Sequence, residues 1–129
     1  MRDLTPELST IAALSGSRAT RHLEAGEVIF QPGDLGDVLY GVVSGRIQLS
    51  WGSDLTETVD AGACFGMGAL VDPDHRRFGS AIALTDAEVL EMDRPEFLFA
   101  MQELPMFALE MLHDLETRLQ QLKRSVAEH

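Results

Sequence analysis

Ten of the eleven glycines in the chain fall between Arg21 and Asp93, and none follows Arg94. No other feature constrains the fold as much. Within the glycine-rich part, the runs EVIF, VLYGVV, RIQLSW and TETV are separated by PGD, SG, GSD and DAG. Apolar runs this short, bounded by turn formers, are strands joined by tight corners. In RIQLSW, Ile47, Leu49 and Trp51 alternate with Arg46, Gln48 and Ser50, which gives a strand with one wet face. AEVLEMD adds a further strand. Many short strands at near-regular spacing predict a mainly β protein, an antiparallel β-roll of the jelly-roll type over residues 21–94. Gly33, Gly45 and Gly62 supply its corner conformations.

Helices are expected on either side. LTPELSTIAALSG, within residues 1–20, has Thr5 as N-cap, Pro6 at the first helical position, Glu7 in the first turn and Gly16 as the stop, and it is expected to pack as a lid. Residues 95–129 read as two helices, each opened by a proline. In the second, Ala108, Leu112, Leu115, Leu119, Leu122 and Val126 step by alternating fours and threes, a heptad seam. So narrow a seam favours a partner helix, most simply that of a second copy, and a homodimer is expected. A parallel register would bring Arg118 near Lys123 of the other helix, which opposes that register, and packing of the helix on its own sheet is the alternative.

With 129 residues the chain fits a single domain with one core. Its 21 acidic side chains against 10 Lys and Arg leave a net charge of −11, which repels a polyphosphate backbone, so direct nucleic-acid binding is not expected. No stretch is apolar for long enough to span a membrane, the N-terminal residues are not those of a secretory leader, and the expected compartment is the cytoplasm. The single Cys64 cannot form an internal disulfide and reads as a small core side chain rather than a redox sensor.

Taken together, LEAGEVIFQPGDLGDVLYGVVSGRIQL and AGACFG, in a glycine-cornered roll with one helix before it and two after, resemble the cyclic-nucleotide-binding domain family over most of the chain. The resemblance is to the sensory half of Crp/Fnr-type regulators. It implies a roll that holds a cyclic nucleotide in a phosphate-binding cassette and a C-terminal helix that relays occupancy and forms the dimer seam. No helix-turn-helix accompanies the roll in this sequence, so output is expected to pass through a protein partner.

The cassette expected from the resemblance is FGMGALVDPDHRRFGSA: Phe65, Gly66, Met67, Gly68, Ala69 and Leu70, then Arg76, Arg77, Phe78, Gly79 and Ser80. A cyclic phosphate needs donors in a place that excludes water. GMGALV can form a short helix with free amides at its start, and Gly66 and Gly68 permit close backbone approach. The resemblance assigns the phosphate arginine to Arg77, because SAIALTDAEVLEMD then falls into register with the family's returning strand; Arg76 remains the alternative. Two positions depart from the family's pattern. Met67 stands where the carboxylate for the ribose hydroxyl is expected, and Phe78 stands where a Ser or Thr is expected. Two lost contacts at about 1–3 kcal/mol each weaken a usual cyclic nucleotide by roughly 10²–10⁴-fold, whereas an apolar or aromatic group is welcome against these side chains.

Other chemistries find less support. The four histidines are scattered; only Asp72, Asp74 and His75 cluster, and Asp-Pro-Asp is ordinary turn chemistry, so no metal is expected. Asp34 and Asp37 read as turn residues, Tyr40 and Trp51 as strand packing. There is no Gly-x-Ser-x-Gly elbow and no His near Cys64 in sequence, and the reading is of a protein that is not an enzyme. Two functions follow: a regulatory sensor of a small anionic ligand, a cyclic nucleotide or another, with no further cofactor; or a dimerisation and interaction module that has lost its ligand.

Overall fold

A computed structural model describes residues 4–15, 20–52 and 54–128. Helix α1 (Pro6–Leu14) starts where the capping signals place it. Thr5 accepts from the Leu8 amide at 3.4 Å while its own hydroxyl donates to the Gly62 carbonyl at 2.9 Å, so the cap also fastens the helix to the roll. The stop expected at Gly16 lies outside the described residues.

Eight strands follow: β1 (Arg21–Leu23), β2 (Val28–Phe30), β3 (Val38–Ser44), β4 (Arg46–Trp51), β5 (Leu55–Asp60), β6 (Cys64–Phe65), β7 (Ser80–Ala83) and β8 (Ala87–Asp93). They form two four-stranded sheets, in the orders β1-β8-β3-β6 and β2-β7-β4-β5, with every pairing antiparallel. This is the antiparallel roll expected from the glycine spacing. The β3–β4 corner turns at Gly45, whose φ of +88° is left-handed; a Cβ there would strike the Asp86 carbonyl and come within 2.7 Å of the Ala87 Cβ.

Two apolar clusters result. One lies between the sheets, where Leu23, Val42, Ile47, Val59, Phe65 and Val89 meet; each is at most 1% exposed. The other lies under the helices, where Leu8 and Ile11 of α1 pack with Leu39, Cys64, Met92, Phe97, Phe107 and Met111. Cys64 is 1% exposed, the core position expected of it, and burial pushes its thiol up to about 12.

Between β6 and β7 sits α2 (Gly68–Val71), a single turn. After β8, α3 (Arg94–Glu103) begins at a reciprocal cap, the Asp93 carboxylate accepting from the Glu96 amide and the Glu96 carboxylate from the Asp93 amide, each at 2.9 Å. Helix α4 (Pro105–Ala127) runs on from it. Its heptad positions do not form one surface. Ala108, Leu115 and Leu122 are half-buried, and the two leucines lie over the roll together with Leu119, 44% exposed, while Leu112 and Val126 are 63% and 61% exposed. Packing on the chain's own roll and a free apolar row therefore coexist on one helix. Arg118, which the heptad places beside the seam, turns inward to the roll.

Candidate functional site

Strand β6 ends at Phe65, and the chain then turns at Gly66, with φ +85°, into α2. The connection from α2 returns through Asp72, whose carboxylate accepts from the Asp74 amide at 3.0 Å and the Arg76 amide at 3.4 Å, and through His75, at φ +54°, whose Nδ1 lies 2.9 Å from the Ala69 carbonyl. The Asp-Pro-Asp-His stretch is thus a braced turn. It delivers two adjacent arginines to opposite fates. Arg76 is exposed and donates to the Gly33 carbonyl at 2.9 Å; Arg77 is 5% exposed.

The Arg77 guanidinium is held by backbone and ring faces. Nη1 donates to the Gly66 carbonyl at 2.6 Å and Nη2 to the Val38 carbonyl at 2.8 Å. Its Cζ lies 4.3 Å from the centroid of the Phe30 ring and 5.7 Å from that of Tyr40, both within cation–π range. A Cβ at Gly36 would collide with its Nε and Cζ, so the guanidinium occupies space that only glycine leaves open. Buried Nε has no hydrogen-bond partner. Among the described residues, no carboxylate lies within ion-pair distance of Arg77. Burial pulls its pKa down, opposed in part by Tyr40, Asp37 and Asp34.

Beside Arg77 opens a cavity of about 260 Å³. Gly66, Met67, Gly68, Ala69, Arg77, Phe78, Gly79 and Ser80 line it, so the structure gathers eight of the eleven expected cassette residues around one space. Phe65 does not line it; its ring is fully buried and stacks on Tyr40 at 5.0 Å. Leu70 turns into the cluster under the helices, and Arg76 faces outward. Phe78 stands at the rim, 85% exposed.

The far wall was not legible in the sequence. Phe30 of β2, Leu49 and Trp51 of β4, Glu57 of β5, and Leu115, Arg118, Leu119 and Leu122 of α4 complete the lining. Arg118 donates through Nε to Glu57 Oε2 at 2.8 Å, through Nη2 to Glu57 Oε1 at 3.1 Å, and through Nη1 to the Cys64 carbonyl at 2.6 Å and Asp114 Oδ2 at 3.2 Å. Burial works against this charge, but the hydrogen bonds and charge of Glu57, together with Asp114, outweigh it and leave the Arg118 pKa raised. A charged residue beside a heptad seam ordinarily faces solvent, and the partner that sequence spacing offers Arg118 is Asp114, four residues earlier, rather than Glu57, 61 positions away.

Residues 20–103 match the cyclic nucleotide-binding domain family. The chain belongs to that family. It is 35% identical over 101 residues to the cyclic AMP receptor protein of Thermus thermophilus, an alignment covering 74% of this chain and 46% of the relative. In three dimensions it resembles the Thermus thermophilus catabolite activator protein, with a TM-score of 0.73 and 29% identity over 98% of this chain and 60% of that one. A structure from a cyclic-GMP-dependent signalling pathway regulating bacterial phytopathogenesis gives a TM-score of 0.75 and 27% identity, covering 93% of this chain and 98% of that one. This chain spans about half the length of the curated relatives it matches. The fold and family are those of regulatory ligand-binding domains rather than of enzymes. No described helix is long and apolar enough to cross a membrane.

Proposed function

We propose that this domain is a regulatory sensor that takes a small anion into the cavity between β4, α2 and α4 and passes its occupancy through α4 to a partner. The observation that carries this reading is Arg77. A guanidinium has five donors, and here two are spent on carbonyls. A buried cation without a counter-ion is unfavourable, and an anion entering beside it relieves that. The family is that of cyclic nucleotide-binding domains, one relative is a cyclic AMP receptor and another belongs to a cyclic-GMP-dependent pathway; the anion here is a cyclic nucleotide or, with Met67 and Phe78 in the cassette, a different one.

The relay follows from the lining. Leu115, Arg118, Leu119 and Leu122 put one face of α4 against the ligand space, so a ligand that contacts them favours one placement of the helix over another. The exposed Leu112 and Val126, which do not line the cavity, support a homodimer through α4, in which each helix answers to its own roll on one side and to its twin on the other.

Calorimetric titration of ligand-stripped protein with cyclic AMP, cyclic GMP and inorganic phosphate, beside Arg77→Gln, tests the proposal. Saturable binding that weakens at least tenfold in the variant supports it. If no anion binds either protein, the domain is instead an interaction module built on the same roll.

A further inference from the structure

Resting on the anion-binding reading above, we infer that the cavity takes a monoanion whose body is a compact aryl or alkyl group, such as an arylacetate, in place of a sugar and base. Charge fixes the first half. Arg118 is already answered by Glu57 and Asp114, so Arg77 is the one cation of the lining left without a carboxylate among the described residues. One negative charge balances it. A ligand with two phosphates would bring a second charge into a space with nothing to neutralise it.

The walls fix the second half. Trp51, Met67, Leu115, Leu119 and Leu122 share the lining with Arg77, and Ser80 carries the only hydroxyl among the lining side chains. The Glu57 oxygens are both engaged by Arg118. The ribose 2′-hydroxyl and the polar edge of a base would meet mostly carbon, and each group left unpaired lowers affinity by roughly tenfold. A phenyl ring would lose nothing there and would gain aromatic and thioether contact. Size agrees: about 260 Å³ lies below the ~300–1,000 Å³ of pockets for drug-sized ligands. The exposed ring of Phe78 at the rim extends the same apolar surface outward.

Trp51 is the only tryptophan in the chain and lines the cavity, so its emission reports occupancy. The test titrates the full chain with phenylacetate, acetate and cyclic AMP, reading Trp51 emission and, independently, the melting temperature. Phenylacetate is expected to saturate both signals at a concentration at least tenfold below acetate or cyclic AMP, and Arg77→Gln to raise that concentration at least tenfold. Met67→Glu, at a half-buried position that keeps the fold accessible, is expected to weaken phenylacetate by a similar factor by placing a carboxylate beside the site. Should cyclic AMP bind more tightly than phenylacetate and depend on Arg77, the ligand class is wrong and the anion site stands. Equal affinity for phenylacetate and acetate also removes the apolar body from the proposal. Silence toward all three anions removes the site itself.

Discussion

Arg118 of α4 grips Glu57 of β5 with two parallel hydrogen bonds, 2.8 and 3.1 Å long, across 61 positions of sequence. The two side chains are only 14% and 13% exposed, so this is a largely desolvated pair rather than a surface one. A third bond, to the Cys64 carbonyl, ties the same guanidinium to β6. The long helix is thereby fixed to the roll beside the cavity, at the place where a ligand and the helix would meet.

Breaking that pair from either side leaves the other charge buried. Glu57→Gln and Arg118→Met are each expected to destabilise the protein by about 3 kcal/mol, and the double variant by less than the sum, with a coupling of about 1–3 kcal/mol. Urea unfolding of the four proteins reads this directly. Strict additivity would mean that the helix is held by its leucines alone.

Gly36 offers a way to move Arg77 without changing it. A methyl at that position would strike Nε and Cζ of Arg77 and come within 2.8 Å of the Ala69 Cβ, a contact that real Cβ atoms do not make. Gly36→Ala is expected to displace the guanidinium, to cost about 1–3 kcal/mol of stability and to reproduce the binding loss of Arg77→Gln. A variant with native melting temperature and native anion affinity would show that the arginine does not need this seat.

The sequence revealed the roll because its strands are short and its corners glycine-rich; β2 to β5 and β8 could be read directly from apolar runs between turn residues. Three elements could not. β1 and the two-residue β6 are too short for alternation to show, and β7, SAIA, carries apolar side chains on both faces; they exist because β8, β3 and β4 offer them edges to pair with. The cassette was legible for a different reason: chain-local glycines, an arginine and a turn lie close together between Phe65 and Ala81. The opposite wall was not, because Glu57, Trp51 and α4 reach the cavity only through tertiary packing. The heptad of α4 was visible as a pattern, yet pattern alone could not assign Leu115, Leu119 and Leu122 to the cavity beside the roll and Leu112 and Val126 to solvent.

Cys64 gives a pH-dependent handle on the core. Its thiol titrates near 9 when free and near 12 in the fold, raised first by burial and then by Glu7 and Asp114. The folded state therefore favours the protonated thiol. Stability from this group is complete below about pH 9 and falls by up to ~1.4 kcal/mol per pH unit as the pH rises toward 12. A thiol reagent at pH 8 is expected to leave the native protein unlabelled and to modify it rapidly in urea. Rapid native labelling would place the sulfur at the surface.

The two rows of α4 make opposite predictions for substitutions one turn apart. Leu115 is half-buried against the roll and lines the cavity, so Leu115→Lys puts a cation near Arg118 and Arg77 and is expected to lower the melting temperature. Leu112 and Val126 point away, 63% and 61% exposed, and burying them requires something outside this chain. If that is a second α4, Leu112→Lys together with Val126→Lys should halve the mass seen by sedimentation at micromolar protein while changing the unfolding free energy of the single chain by no more than about 0.5 kcal/mol. An unchanged mass in the double variant, with a fall only in Leu115→Lys, would assign the helix wholly to its own roll and leave no seam for a homodimer.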